Sequence, residues 1–545
     1  MKKVNEIIGQ GRYYFDKDQL LPVSELFLKY KEPNILDENQ RLRRVVLSGP
    51  PGIEAYLAQL LPESESLFLE KMNVSEARKE FDTYDKLQQE LGTITHDAKQ
   101  ILSERVLPKK IVDHFITKKG DKYVKDRMLD ENGAFDRDKI LQLLYDKVES
   151  LYVQFPPDDK RTKDTAYKEK VTELLDDDIK RYGKQQALAL NLVLSVIPRL
   201  PLGNFLYARD QMNTVLDTIV VSAMKKSIRQ PEVELYKIVY EALGYKDFLE
   251  IDQDGHEGYD VLNKALGYLN ESGERTGKGE PIIAPEKESF EGGDLYIHEK
   301  VVYIGVGART SFGAAYQIYN HMKDKCEREG YQMAIVFDEN ATSKPFNKQQ
   351  DSMHIDTWSM PIGPKQMEMY VDEGLKRKIL LFKNSNSPDK TTDVIDTGGN
   401  FVNFLLQKEY KIYPIPLEEQ KEFGCNNIYM GKIPQKELAN LIPDFLVDNV
   451  KEYNIPDQPS LPAIPYLSGN INGFGNVQVW IPQNIFGRDE YEIDVVPIGT
   501  NVVSLYQLMS SGKAIVFAPL YECTRGYGAA HCMTGQIHRS DIYLN

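Results

Sequence analysis

From about residue 97 to residue 200 the chain carries charged segments whose apolar residues recur three and four positions apart, among them Ile140, Leu141, Leu143, Leu144, Val148 and Leu151. That spacing predicts several helices, each with one buried face. Proline clusters punctuate the stretch, Phe155-Pro156-Pro157-Asp158 within it and Ile197-Pro198-Arg199-Leu200-Pro201 at its exit, and a helix usually stops before a proline. The flanking sequence has another rhythm. Residues 42–48 (LRRVVLS) run into Gly49-Pro50-Pro51-Gly52, a strand followed by a turn. Residues 75–91 predict an amphipathic helix with Ser75 as N-cap and Glu76 in its first turn. Beyond residue 217, short β-rich runs at 218–221, 295–306, 333–337, 379–382, 477–481 and 514–517 alternate with helical stretches. The pattern points to a mixed α/β body interrupted once by a helical insertion. Residues 383–474, less periodic and rich in Pro and Asn, predict long connections. No sequence repeat is visible, although structural repeats persist without one.

Composition narrows the function classes. At 545 residues the chain is long enough for three or four units or one elaborated fold, and 41% hydrophobic with 27% charged residues is a globular composition. A net charge of −15 argues against nonspecific nucleic-acid binding or adsorption to an anionic membrane. The first twelve residues lack the apolar run of a secretory signal, which makes a cytoplasmic location the default. Residues 187–197 are the most apolar stretch and are too short to span a bilayer, which needs roughly 20 helical residues. Cys326, Cys425, Cys523 and Cys532 form no C-x-x-C pair and are too sparse to staple the chain, so they read as reduced thiols.

Four short segments carry residues suited to chemistry. His354-Ile355-Asp356 puts an imidazole and a carboxylate two positions apart, on one face if the segment is a strand. Phe290-Glu291-Gly292-Gly293-Asp294 sets two carboxylates around a glycine pair, either a tight turn or a place of close backbone approach. Asn204-Phe205-Leu206-Tyr207-Ala208-Arg209-Asp210 follows the helical segment and alone says little. Near the end, Arg525-Gly526-Tyr527-Gly528-Ala529-Ala530-His531-Cys532-Met533-Thr534 delivers a thiol in a small-residue loop, read as flexible and roomy enough for a substrate. The thiolate is the nucleophilic form of cysteine, and an imidazolium nearby favours it.

Taken in order, the Arg-Asp pair at 209 and 210, the E-G-G-D at 291–294, the H-x-D at 354–356 and the G-x-x-H-C-M-T ending at 534 resemble the guanidino-group-modifying superfamily, and most closely the arginine deiminases. The resemblance implies a pseudo-fivefold α/β propeller of ββαβ units with an inserted helical bundle. It divides the chain into an N-terminal extension (1–40), a first part of the propeller (41–100), the inserted helices (101–200) and the remainder (201–545).

The resemblance also implies a reaction. A guanidinium is planar, cationic and a poor electrophile, so carboxylates must hold its N–H groups while a strong nucleophile meets its central carbon. Asp210 and Asp356 would grip it, Cys532 would attack, His354 would act as acid and then base, and Glu291 would orient His354. Asn204, Arg229 and Arg309 match segments that hold the amino-acid end of arginine, and His531 reads as a loop residue that adjusts local charge. The expected substrate is a small guanidino compound, with no metal, no cofactor, no nucleic acid and no membrane, and with a homo-oligomer left open.

Departures bear on the substrate more than the reaction. Arg525 is followed two residues later by Tyr527 where the family commonly has a second arginine, and Gln536 stands where a proline is common. A phenol brings no positive charge, so a substrate carboxylate would be held less tightly. Two other classes compete: an amidinotransferase that passes the amidino group from a covalent adduct on Cys532 to an amine, and a non-catalytic binding protein that keeps the fold.

Overall fold

The computed structural model describes residues 13–16, 19–22, 30–66, 68, 70–105, 108–157, 163–340, 352–383, 394–435, 438, 450–455, 461–471, 477–497, 502–526 and 528–541. Its class is mixed α/β, as the alternating pattern implies.

One arrangement recurs five times. In the first sheet the strand Leu42–Leu47 pairs antiparallel with Gly535–Arg539 and parallel with Ile94–Asp97, and the helices Ile53–Ala58 and Val74–Glu90 lie between the two parallel strands in sequence. The second sheet pairs Met212–Val215 with Thr218–Val221 antiparallel, then crosses through the helix Gln230–Ala242 to the parallel strand Phe248–Glu250. The third repeats this with Leu295–His298, Val301–Val306, the helix Phe312–Glu329 and Gln332–Phe337. In the fourth, Ser359–Gly363 and Gln366–Met369 lead to Lys411–Pro414. In the fifth, Ile428–Pro434 and Glu490–Pro497 lead through the helix Val502–Ser510 to Ala514–Ala518. A parallel partner needs a crossover, and a helix packed on the sheet supplies it. The last described strand, Gly535–Arg539, completes the first sheet by backbone hydrogen bonds to Leu42–Leu47.

Several sequence expectations are corrected in detail. Residues 295–306 are a hairpin, not one strand, because Glu299 and Lys300 turn the chain with φ of 48° and 62°. The helix expected at 75–91 begins one residue earlier, and its cap is Asn73, whose side chain accepts from the Glu76 backbone N–H. Residues 383–474, expected to be long connections, contain the strands Val394–Asn400, Lys411–Pro414, Ile428–Pro434, Val450–Tyr453 and Ile464–Asn470. Proline and asparagine sit at the margins of these strands, which hid their period.

Residues 98–211 contain helices and turns and, among the described residues, no strand. Arg137–Gln154 is capped by Asp136, which accepts from the N–H groups of Asp138 and Lys139, and it buries Ile140, Leu144 and Val148. Those side chains share one core with Phe81 and Tyr84 of the first sheet's helix and with Ile493 and Val516 of the fifth sheet. Among the described residues, no helix is long and apolar enough to cross a membrane.

The junction between the chain's ends and the second sheet holds a buried charge network. Glu38 Oε1 accepts from Arg209 Nη2 at 3.2 Å, and Glu38 Oε2 lies 3.1 Å from Arg539 Nη2. Burial opposes the Glu38 charge, but Arg539 and then Arg209 hold its pKa well below the carboxylate range. Glu38→Gln leaves two buried guanidiniums facing a neutral amide, and is expected to destabilise the fold by about 3–5 kcal/mol. Urea unfolding of the variant against the natural protein measures this.

Candidate active site

The strand that opens each sheet, at its antiparallel edge, is preceded by a polar residue of one cluster. Asp210 comes before Met212–Val215, Glu291 before Leu295–His298, His354 and Asp356 before Ser359–Gly363, Asn426 before Ile428–Pro434, and Cys532 before Gly535–Arg539. Topologically equivalent positions of five sheets thus supply the site. All six side chains are buried.

Around His354 the geometry is that of a charged acid. Its Nε2 lies 3.0 Å from Glu291 Oε2 and its Nδ1 lies 3.7 Å from Asp210 Oδ1. Burial pulls the imidazolium down, but Asp210 and the Glu291 hydrogen bond outweigh it and push the pKa up to about 9. Burial likewise works against the Glu291 charge, while Arg309, His354 and Arg229 lower its pKa far below the ordinary value.

The glycine pair serves close approach. A Cβ on Gly293 would stand 2.5 Å from His354 Nδ1 and 3.1 Å from Asp356 Oδ1, and one on Gly292 would stand 2.1 Å from the Arg209 carbonyl oxygen. Next to them Asp294 accepts from the Ile355 N–H at 3.1 Å and fixes the following turn. That turn is the 3₁₀ segment Ile355–Thr357 rather than a strand. His354 and Asp356 therefore reach one site by a tight turn, not by strand alternation.

The thiol stands beside Asp356. Cys532 Sγ lies 3.7 Å from Asp356 Oδ2, to which the thiol donates, and Asn426 Nδ2 donates to the sulfur at 3.2 Å. Burial, then Asp356 and Asp210, push this thiol well above the usual range, and the Asn426 hydrogen bond works the other way. The loop expected to be flexible and roomy is packed: Ala529, Ala530 and His531 are fully buried. His531, read as a loop residue adjusting charge, instead puts Nδ1 2.8 Å from Asp356 Oδ2. That contact and Cys532 both use Oδ2, leaving Asp356 Oδ1 with no hydrogen bond.

The remaining expected residues fall at differing distances from the chemistry. Arg229 is pinned by Asp210 at 2.9 Å, Glu232 at 3.0 Å and Glu291 at 3.6 Å. Arg309 Nη1 lies 3.8 Å from Glu291 Oε1 and has no hydrogen bond. Asn204 is buried, and its carbonyl accepts from Gln211, which also bonds Glu232. Arg525 is occupied by the Lys71 carbonyl, Glu70 and the Tyr521 hydroxyl. Tyr527 lies outside the described residues.

Asp210, Glu291 and His354 present ligand atoms within 4.8 Å of one another, close enough to hold a metal ion. Their charge is already balanced from within the chain, since Arg229 reaches both carboxylates. A divalent cation there would face that guanidinium at contact distance, so the donor set does not fit a metal.

Residues 64–263 match the family model for arginine deiminase. The chain is similar to the arginine deiminases. An arginine deiminase of Halobacterium salinarum (strain ATCC 29341 / DSM 671 / R1) is 21% identical over 368 residues, which cover 62% of this chain; the chain spans 65% of that relative's length. Two solved structures also align. SxtG, an amidinotransferase from Microseira wollei in the saxitoxin biosynthetic pathway, is 11% identical, with 94% of this chain and 98% of that one covered at a TM-score of 0.41. A dimethylarginine dimethylaminohydrolase adduct with 4-chloro-2-hydroxymethylpyridine is 11% identical, with 91% and 99% covered at a TM-score of 0.38.

One residue of the cluster, Asn426, escaped the motifs of the arginine deiminase resemblance, and the role of another, His531, was misread. Asn426 sits in Cys425-Asn426-Asn427, two residues before the strand that starts at Ile428, as Asp210 is before Met212 and as Cys532 is, one residue further off, before Gly535. That recurrence was the available signal. His531 was visible beside Cys532, but its pairing with Asp356 was not.

Proposed function

We propose that the chain hydrolyses a guanidino group through a covalent cysteine adduct, with L-arginine converted to L-citrulline and ammonia. One observation carries this reading. Asp210 Oδ1 and Asp356 Oδ1 are buried acceptors with no hydrogen-bond partner, beside a thiol and a protonated imidazole. Two unpartnered carboxylate oxygens want a planar cation with several N–H donors, and a guanidinium is that group.

The proposed sequence follows from the charges. A guanidinium entering between Asp210 and Asp356 offsets the two carboxylates that, with burial, keep Cys532 protonated. The thiol proton is released to solvent, and the thiolate attacks the guanidino carbon, forming the C–S bond. His354 gives its proton to one nitrogen, which leaves as ammonia when the C–N bond breaks, and an amidino-thioether remains. Neutral His354 then takes a proton from water as the oxygen adds to the same carbon. The C–S bond breaks, the thiol is restored and the ureido product leaves. Glu291 orients His354, while Asn204, Arg229 and Arg309 take the amino-acid end.

The architecture proposed with this function is a pseudo-fivefold propeller in which five ββαβ units surround the cluster. Residues 101–200 form an inserted helical bundle, 41–100 and 201–545 the propeller and 1–40 an extension. The five repeats and the meeting of their leading residues support this arrangement. The proposed location is the cytoplasm, supported by four free cysteines.

Purified protein mixed with arginine, with ammonia and ureido product measured, tests the reading; no release of either would sink it. Added amines separate hydrolysis from amidino transfer. Comparing kcat/KM for arginine, agmatine and arginine amide decides the substrate's far end, where Tyr527 is the departure. Asp356→Asn removes one charge-assisted partner, so guanidinium binding is expected to weaken by roughly 1.5–3 kcal/mol, about 10 to 150-fold. Calorimetric titration with arginine in a Cys532→Ser background measures it without turnover.

A further inference from the structure

We infer that Asn426 is a positioning residue that holds Cys532 in its reactive place and favours its thiolate, as the fifth sheet's contribution to the site. The inference deepens the cysteine-hydrolase reading and rests on it. Every hydrogen-bonding position of the Asn426 side chain is used. Its Oδ1 accepts from the backbone N–H groups of Ala529 and Cys532, each at 3.1 Å. Its Nδ2 donates to Cys532 Sγ at 3.2 Å and to the Asp356 carbonyl at 3.2 Å. The Asn426 carbonyl in turn accepts from the His531 N–H at 3.3 Å. One fully buried amide thus ties the nucleophile's loop to the segment that carries the guanidinium-binding carboxylate.

Asparagine suits both jobs. An acceptor oxygen is needed for two converging N–H groups, and a donor is needed for sulfur, because the amide N–H stabilises a thiolate more than a thiol. Without it, only the Ala529 backbone N–H is left to oppose the carboxylates of Asp356 and Asp210 at the sulfur. Among the residues that precede the opening strands, Asp210, Glu291 and Asp356 are acidic, whereas Asn426 is a neutral amide. An acid here would add a third negative charge beside the nucleophile.

The test reads the thiol directly and needs no guanidino substrate, so it stands apart from the hydrolase assignment. Iodoacetamide alkylation of Cys532 is followed by mass spectrometry against pH in the natural protein, Asn426→Asp and Asn426→Ala. Asn426→Asp keeps the acceptor for the loop but loses the donor to sulfur. It is expected to alkylate at least tenfold more slowly at pH 8, with its rate profile displaced upward by a unit or more and its circular dichroism unchanged. Asn426→Ala should show the same slowing. Natural alkylation rates in folded variants would overturn the inference. Should both variants fail to fold, the natural protein decides: the Asn426 side-chain amide resonances, with 15N-asparagine labelling, should titrate with Cys532 and lose that titration in Cys532→Ser. Resonances indifferent to Cys532 would overturn it equally.

Discussion

Cys532→Ser is expected to lose turnover by on the order of 10³-fold or more, while Cys326, Cys425 and Cys523 each tolerate replacement. A serine hydroxyl preserves the shape of the side chain, but its oxygen ionises far less readily than sulfur and forms no amidino-thioether. The other thiols are placed to be inert. Burial, then Glu80, raises Cys523 well above its ordinary value, and its thiol donates to the Ala77 carbonyl. Burial and Glu368 do the same to Cys425, and burial raises Cys326 to about 11. Among the described cysteines, Cys532 is the one that shares a cluster with the unbonded carboxylate oxygens Asp210 Oδ1 and Asp356 Oδ1, and Asn426 Nδ2 donates to its sulfur. Mass spectrometry of enzyme quenched during turnover should find the amidino adduct on Cys532. An adduct on Cys523, or full activity of the serine variant, would remove Cys532 from the mechanism.

His354→Ala is expected to reduce kcat by about 10²- to 10⁴-fold, the contribution of a positioned acid and base. The pH dependence follows from the same geometry. With its pKa pushed up to about 9, His354 is the acid that protonates departing ammonia at neutral pH, so kcat should fall as pH rises through about 9. The variant should lack that alkaline limb. Stability carries the matching sign. The folded pKa lies above the ordinary 6.5, so the stabilisation from the imidazolium is fully present below about pH 6.5 and is lost as pH rises through about 9. Unfolding of natural protein and variant at pH 6 and pH 10 should converge at the higher pH. Near-natural turnover by His354→Ala would require another base.

The sequence by itself determined the mixed α/β class and named most of the residues that the structure brings into one cluster. Periods of two and of three to four report which face of a strand or helix is buried, so the alternating body and the helical stretch up to residue 200 were legible. The side chains that a guanidinium calls for stood in short motifs. What those patterns do not carry is distance across the fold. His531 and Asp356 meet although 175 residues apart, and Asn426 and Cys532 although 106 apart. Such contacts depend on how five sheets with no visible sequence repeat bring their leading residues together, and on glycines that let backbone approach side chain. Whether Asp356 stands on a strand or a turn, whether the thiol loop is open or packed, and which amide holds the sulfur were therefore decided by tertiary structure alone, because hydrogen-bond geometry between distant segments exists only once the sheets have packed.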